Sequence, residues 1–251
     1  MTPPVPLIEV ANVSKQYVAL RPLRVAQFVV RPGEQFVLSG FDAIAAEMLI
    51  HLITGAALPD EGTIRIAGRD TRDIATDTEW LTSLDRFGLV SERAVLIDQL
   101  PIAANMALPL TLTIDPMSPE TRAKVDELAE EVGLAHERLP QPAGTLTATE
   151  RTRVHMARAI APGPQVLLLE HPTAKIDAAA DRASIGATVA RLAQSRGLAW
   201  VAMSEDQEFV RASGGIELRL TPATGALSKR GFLSRLFTAS RSRRTPPADR
   251  R

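Results

Sequence analysis

The stretch VLLLEHPTAKID, residues 166–177, holds a short apolar run that passes directly into polar and charged residues. An uninterrupted apolar run such as Val166 to Leu169 is typical of a strand buried on both faces of a parallel sheet. Residues 198–203 form a second run of this kind. Each run follows a segment with helical periodicity, as the crossover connections between parallel strands require. The pattern predicts an α/β fold.

Further strands are predicted on the N-terminal side, where short runs rich in apolar residues lie between turn residues. The predicted strands are residues 8–13, 23–30, 35–39, 63–67 and 87–90. These early strands suggest an antiparallel layer beside the main sheet. Near the other end, residues 215–220 and a turn at Thr224 and Gly225 predict a closing strand or hairpin.

Residues 93–162 lack strand patterning and predict a helical insertion. Ser118 suits a helix N-cap, Pro119 suits the first helical position, and the apolar stripe that follows ends at Gly133. A second helix is predicted over residues 148–161. The sequence thus predicts one folded unit over residues 6–222, with a helical subdomain at about 93–162.

The amino-acid composition excludes several functional classes of protein. The chain has 251 residues, of which 45% are hydrophobic, which is enough for a continuous core. Its 29 basic and 29 acidic residues balance, so nucleic-acid binding is not expected. The absence of cysteine excludes disulfides, thiolate nucleophiles and Cys-ligated zinc. With no long uncharged apolar run and no signal-like start, the expected location is cytosolic.

The C-terminal end, residues 229–251, is a basic tail with eight cationic residues and a single acidic one, Asp249. Its last dozen residues have the composition of a disordered segment. Phe232, Leu233, Leu236 and Phe237 share one face of a short predicted helix. That face suits weak contact with an anionic membrane surface, a partner's groove, or docking on the chain's own domain.

The order of these segments resembles the ATP-binding subunits of ABC transporters over roughly residues 6–222. The string at 166–177 is similar to that family's Walker B strand and D-loop. The other similar strings are Gly40 with the helix ending in LITG, DEGTIRIAGRD from Asp60, NMALPL from Asn105, and LTATERTRVHMARAI from Leu146. The resemblance implies a P-loop NTPase-like nucleotide-binding domain with an antiparallel β layer and a helical subdomain. It also implies ATP and Mg²⁺ as ligands.

The phosphate-binding loop, G-x-x-x-x-G-K-[ST], is nonetheless changed at most positions. The matching residues are Gly40, Phe41, Asp42, Ala43, Ile44, Ala45, Ala46 and Glu47, followed by Met48. Ala46 removes the cation, and with it bonds worth on the order of 1.5–3 kcal/mol. Glu47 places a carboxylate where a hydroxyl would hold the metal, and repels a phosphate charge at about 4 Å by roughly 4 kcal/mol. The sequence predicts weak or no triphosphate binding.

The same residues suit an ordinary helix start. Asp42 is a good N-cap, and alanine favours the helix that follows. The buried face is predicted to be Ile44, Met48, Leu49, Leu52 and Ile53. A structural element in place of the phosphate cradle is one hypothesis, and residual nucleotide binding with Glu47 sharing a Mg²⁺ ion is the other.

By the resemblance, the other functional positions are substituted as well. The Q-loop glutamine becomes Glu92, the metal-linked aspartate Glu170, the catalytic glutamate His171 and the switch histidine Glu205. The signature motif becomes Leu146, Thr147, Ala148, Thr149 and Glu150, without its two glycines. An imidazole at His171 can still act as a base. Hydrolysis by the family's mechanism has nevertheless lost most of its parts, and no metal ligand is assigned.

Two family positions are retained. Tyr17 matches the aromatic residue that stacks on adenine, and its alternative role is a half-buried aromatic at a strand end. Asp177 matches the D-loop carboxylate at the subunit interface, and its alternative role is a helix N-cap.

The resemblance implies a membrane permease as partner, docked through residues 95–110, and a location on the inner face of the cell membrane. A second ATP-binding subunit, giving a homodimer or heterodimer, is a further implied partner. The lipoprotein-release and macrolide-export type of subunit is the most similar. Two alternatives remain open: a non-transport adaptor or regulatory protein-binding module on the same scaffold, and a slow but genuine ATPase.

Overall fold

The computed structural model describes residues 5–229, which contain ten strands and seven α-helices. The strands are β1 (Ile8–Lys15), β2 (Leu23–Val30), β3 (Gln35–Ser39), β4 (Glu61–Ile66), β5 (Arg69–Asp70), β6 (Phe87–Val90), β7 (Val166–Glu170), β8 (Ala199–Met203), β9 (Ile216–Thr221) and β10 (Ala226–Lys229). The helices are α1 (Ala43–Ile53), α2 (Asp77–Leu84), α3 (Ile102–Ala107), α4 (Pro119–Val132), α5 (Ala148–Ile160), α6 (Ala179–Arg196) and α7 (Gln207–Ser213). The basic tail lies outside the described residues except for Lys229.

The strands form two sheets. An antiparallel sheet has the order β2-β1-β4-β5, and a six-stranded sheet has the order β10-β9-β3-β8-β7-β6. All pairings in the second sheet are parallel except that of β9 with β10. The prediction of an α/β fold with an antiparallel layer is confirmed. Residues 35–39 and 87–90, grouped with that layer in the prediction, belong instead to the parallel sheet, because each continues into a crossover connection.

The parallel sheet has one apolar cluster on each face, because successive side chains of a strand point to opposite sides. Phe36 and Leu38 of β3 join the antiparallel sheet and α1 in one cluster. Val37, between them, joins the other cluster, which contains residues of α3, α4, α5 and α6. The helical segment between β6 and β7 therefore shares its core with the sheet.

The predicted helix ends are largely correct. Ser118 caps α4 by accepting a hydrogen bond from the Thr121 N–H, and Gly133 ends this helix in the left-handed conformation. Helix α5 begins at Ala148, as predicted. Along 5–229, the stretch 93–162 contains helices and 3₁₀ turns and no named strand.

Helix α1 begins where the sequence indicated, but its buried face is rotated. Ala45 and Ala46 pack into the core, with Leu49, Leu52 and Ile53. Ile44 is 49% exposed, so its predicted burial is wrong. The two small alanines bring the first turn close to the sheet, and this turns the preceding side chain towards solvent.

Candidate functional site

Four strand-to-loop connections meet at one edge of the parallel sheet. Strands β3, β8, β7 and β6 are neighbours and run in the same direction, so their carboxyl ends lie along this edge. The connections carry Gly40, residues 91–93, residues 170–171 and residues 204–205. The chain thereby brings to one edge positions that are far apart in its sequence.

The turn after β3 passes almost directly into α1. Gly40 has a φ of 88°, and a Cβ there would lie 3.0 Å from the Leu220 carbonyl oxygen, so glycine is required for the backbone alone. Asp42 is the N-cap, and its side chain accepts a hydrogen bond of 2.8 Å from the Ala45 N–H. Ala43 and Ala45 are thus helical, although a phosphate loop of the G-x-x-x-x-G-K-[ST] pattern would extend over both.

The first backbone N–H of this turn is hydrogen-bonded to a carboxylate. The Gly40 N–H donates a hydrogen bond to Oε1 of Glu205. Glu205 follows β8, where the Ser204 N–H donates to the Leu38 carbonyl at 3.0 Å and joins the two connections. A carboxylate oxygen is an acceptor of the same kind as a phosphate oxygen. The Gly40 N–H is therefore already hydrogen-bonded to a side chain of the protein itself.

A second set of contacts joins α1, β7 and the connection after β6. The Arg93 guanidinium lies 3.0 Å from Glu47 Oε2 and 3.1 Å from Glu170 Oε1. The Ser91 hydroxyl donates to the other oxygen of Glu170 at 2.6 Å, and accepts the Arg93 N–H at 3.1 Å. We call Glu47, Ser91, Arg93 and Glu170 the Arg93 cluster.

The Arg93 cluster supplies hydrogen-bond and ion-pair partners for the nearly buried carboxylate of Glu170. The Glu170 side chain is 8% exposed, and a carboxylate with so little access to water is costly unless it is paired and hydrogen-bonded. Both of its oxygens have a partner in the cluster. Glu92, next to Arg93, pairs separately with Lys175 at 3.0 Å.

His171 has an uncommon backbone conformation. Its φ is 42°, a region that costs a non-glycine residue about 1–2 kcal/mol. Its N–H donates to the Met203 carbonyl at 3.0 Å. Among the described residues its buried Nε2 has no hydrogen-bond partner. His171 lines an open cavity of about 380 Å³ with Arg182, Ser204, Glu205 and Asp206.

The signature-like residues form a helix cap. Thr147 is the N-cap of α5, and it forms a capping box with Glu150, whose side chain accepts the Thr147 N–H at 2.9 Å. Glu150 also pairs with Arg138 at 2.7 Å. Partial burial raises the pKa of Glu150, but the hydrogen bonds from Arg138 and Thr147 outweigh this effect and leave the pKa below its ordinary value. The added negative charge expected at this position is thus paired.

The remaining residues of the predicted signature motif and the two retained family positions, Tyr17 and Asp177, are not members of the Arg93 cluster. Leu146 is buried, and Thr149 donates to Asp181 at 3.2 Å. Tyr17 packs partly on the core, where burial raises its pKa and the Asp42 carboxylate adds to the effect. The N-cap of α6 is Ala178, so the alternative of Asp177 as N-cap is wrong.

Comparison with known families supplies the context for this geometry. A family model described as "ABC transporter" matches residues 23–174, which is more than half of the chain. The chain belongs to the ABC transporter family.

Curated ABC relatives agree with this assignment. The methionine import ATP-binding protein MetN of Xanthomonas oryzae pv. oryzae is 32% identical over 198 residues, which are 78% of this chain and 57% of MetN. The lipoprotein-releasing system ATP-binding protein LolD of Shewanella frigidimarina is 28% identical over 227 residues, 88% of this chain and 92% of LolD. The chain thus spans little more than half the length of its MetN relatives.

Solved ABC structures share the fold. The dimeric structure of MJ0796, a bacterial ABC transporter cassette, has a TM-score of 0.72 at 24% identity and covers 90% of this chain and 100% of its own. CbiO1 from Clostridium perfringens, part of the ABC transporter complex cbiONQ, has a TM-score of 0.71 at 16% identity, covering 94% and 92%. These similarities establish the ABC cassette fold.

Several groups at this sheet edge that could meet a Mg²⁺–triphosphate complex are bonded to other groups of the chain. The names of these relatives include the term ATP-binding. Here Ala46 supplies no cation, and the Gly40 N–H is bonded to Glu205. The Arg93 guanidinium is paired with both Glu47 and Glu170. Within residues 5–229, no group of three or more His, Cys, Asp or Glu side chains is arranged to hold a metal ion.

Cations at this edge and at the start of α5 were not predicted from the sequence. Arg93, Lys175 and Arg138 were not selected as site residues, although each pairs with a substituted family position. A signal was available: Glu47, Glu92 and Glu170 add or retain acidic charge at positions that the family pattern brings together, and such charges need nearby cations. None of the helices that the structure describes is long and apolar enough to cross a membrane.

Proposed function

We propose that this chain is an ATP-binding-type subunit of an ABC transport system, coupled to a membrane permease, whose degenerate nucleotide site has weak or no ATPase activity. The main observation in favour is that the polar groups at the sheet edge bond to one another. Arg93 pairs with both Glu47 and Glu170, and Glu205 accepts the Gly40 N–H. The folded unit, predicted as residues 6–222, also includes β10, which pairs with β9 and ends at Lys229, and we place it at the inner face of the membrane.

The substituted positions act mainly as structure in this proposal. Asp42 caps α1, Glu170 anchors Arg93, and Thr147 with Glu150 caps α5. His171 is the exception, since this residue is among those that line an open cavity. Without a lysine at Ala46, its imidazole has no triphosphate held beside it to act on.

The helical segment offers an apolar surface for a permease. Val95 is 76% exposed and Leu112 is 90% exposed, and Ile97 and Leu110 are also exposed. The four residues lie within the stretch 95–112, and large exposed apolar patches are typical of protein interaction sites. We call Val95, Ile97, Leu110 and Leu112 the apolar surface.

The backbone that carries this surface is firmly held. Asn105 is fully buried, and its side chain accepts the Ile97 N–H at 2.8 Å and donates to the Ile97 carbonyl at 3.0 Å. Arg158 donates to the Val95 carbonyl at 2.8 Å. A surface fixed in this way can dock on a partner with little further loss of conformational entropy. A second ATP-binding subunit would complete the assembly.

A calorimetric titration tests the nucleotide part of the proposal. The chain is titrated with ATP in the presence and absence of Mg²⁺, with LolD as the positive control. We expect no saturable binding below millimolar nucleotide. A micromolar affinity that depends on Mg²⁺ would contradict the degenerate site and would favour a genuine ATPase.

Affinity purification from detergent-solubilised membranes tests the permease part. We expect a polytopic membrane protein, identified by mass spectrometry, to be retained by the wild-type chain and lost with Val95→Glu. Leu58→Glu changes an exposed apolar residue outside the apolar surface and serves as the matched control. Retention of no membrane protein by the wild-type chain would favour the adaptor alternative.

A further inference from the structure

We propose that Arg93 is a built-in cation, which joins Glu47 to Glu170 and thereby fixes residues 91–97 to the core without any bound metal ion. The proposal concerns the Arg93 cluster alone and does not depend on a permease. It also goes beyond weak nucleotide binding, because a site can lose its ligand without acquiring an internal replacement.

The geometry assigns this role to a guanidinium in particular. Two different nitrogens of Arg93 are used, Nη2 for Glu47 and Nε for Glu170. A guanidinium is a rigid planar fork, so it can hold two carboxylates at fixed positions. A lysine ammonium is a single point of charge and lacks this fixed direction. One side chain thus connects helix α1, strand β7 and the connection after β6.

Ser91 fixes the direction of the arginine. Its oxygen accepts the Arg93 N–H and its hydroxyl donates to Glu170, so the backbone at Arg93 and the carboxylate are held by the same atom. Strands β6 and β7 pair in parallel with Val90 opposite Leu169, which places Ser91 beside Glu170. The position of Arg93 therefore follows from the strand register.

The charge of the cluster predicts what its removal would create. Two carboxylates pair with one guanidinium, and the Ser91 hydroxyl is bonded to one of them, so loss of the arginine leaves two negative charges and three oxygen-bearing side chains. Carboxylate, hydroxyl and water oxygens are ligands suited to Mg²⁺ and Mn²⁺. We therefore expect that deleting the built-in cation converts the cluster into a divalent metal site.

The fixed segment carries part of the apolar surface. Residues 91–97 begin in the Arg93 cluster and end at Ile97, which Asn105 holds. Val95 lies between these two attachments and is held by Arg158. If Arg93 replaces a metal ion, the position of this segment is independent of divalent cations.

The test is a metal-dependent melting experiment on the full chain. Wild type, Arg93→Ala and Arg93→Gln are melted in EDTA and in a series of MnCl₂ concentrations. We expect the wild-type Tm to be insensitive to Mn²⁺. Both variants should melt lower in EDTA and should gain roughly 5–10 °C at a Mn²⁺ concentration near 100 times their Kd. Electron paramagnetic resonance of free Mn²⁺ should give one bound ion per variant chain.

Two further variants assign the new site to the cluster. Adding Glu47→Gln to Arg93→Ala should weaken Mn²⁺ binding at least tenfold, since one carboxylate is lost. Arg69→Ala is the matched control, because Arg69 has a similar exposure and pairs with one carboxylate, Glu79, at 3.0 Å. This control should gain no Mn²⁺ dependence.

Three results would overturn the proposal: a wild-type chain that binds Mn²⁺ as tightly as the variants, folded variants that do not bind it, or variants that fail to fold both with and without Mn²⁺. Variants that fold only with Mn²⁺ would support it. None of these outcomes involves ATP or a permease, so failure here is distinguishable from failure of the proposed function.

Discussion

Nucleotide affinity at the turn after β3 should be limited by Glu205 as well as by the turn itself. The starting variant restores the ligand-binding residue types with Ala45→Gly, Ala46→Lys and Glu47→Ser. A second variant adds Glu205→Ala, which releases the Gly40 N–H from its carboxylate. We expect the second variant to bind Mg²⁺–ATP more tightly than the first.

The expected gains follow from the contacts. Removing the Glu47 carboxylate relieves a repulsion of at most roughly 4 kcal/mol at about 4 Å, and less in practice because this side chain is 30% exposed and its charge is paired with Arg93. A lysine at position 46 adds a charge-assisted bond of about 1.5–3 kcal/mol. Freeing the Gly40 N–H offers a bond at the lower end of that range, because Glu205 is exposed to water. Adding Glu205→Ala to the starting variant should thus tighten Mg²⁺–ATP binding by about tenfold.

The assay is a competition titration with a fluorescent ATP analogue, carried out at one ionic strength. Glu208→Ala, added to the same starting variant, is the control for net charge. It removes an acidic side chain of α7, the helix that follows Glu205, and this side chain pairs with Arg211 of the same helix. A general electrostatic effect would make the two additions equivalent, whereas competition for the Gly40 donor makes only Glu205→Ala effective. Equal affinities with and without Glu205 would refute the reasoning.

Other predictions concern α5, which carries the signature-like residues. Burial lowers the pKa of His155 from 6.5 to about 4, against the opposing charge of Glu92. The fold therefore favours the neutral imidazole, and stability should fall as the pH drops from 6.5 towards 4, by on the order of 3 kcal/mol in full. His155→Leu should flatten that part of a urea-stability profile against pH, and an unchanged profile would contradict the assignment. Thr147→Ala removes one half of the capping box, and should lower the Tm by about 2–4 °C in a calorimetric melt, since an N-cap is worth about 1 kcal/mol.

Strands were predicted well where the sequence carries a local signal. Residues 23–30, 35–39 and 87–90 match β2, β3 and β6, because a short apolar run bounded by turn residues is typical of a strand. Helix α2 was not predicted. It is eight residues long, and its apolar residues are only Trp80, Leu81 and Leu84, none of which is buried, so its helical signal in the sequence is weak. Its main attachment is the Trp80 Nε1–H, which donates to the Thr54 carbonyl at 2.9 Å.

The candidate site was predictable only in part. The resemblance gave positions such as Gly40, Glu170 and Glu205, since a motif is a local pattern. The partners of these positions were not predictable in the same way. Arg93 and Glu170 are 77 residues apart, and Gly40 and Glu205 are 165 apart. Whether such charges meet depends on strand order and register, which the local sequence does not encode.

The pairing of the substituted residues bears on why this site differs from the family pattern. If substitutions had accumulated only because a ligand was lost, Glu170 would keep a nearly buried charge without a partner, at a cost to stability. Instead its two oxygens are bonded to Ser91 and Arg93, and Arg93 also pairs with the substituted Glu47. Compensation of this kind stabilises the sheet edge. It therefore keeps the arrangement of the sheet edge intact with the substituted residues in place.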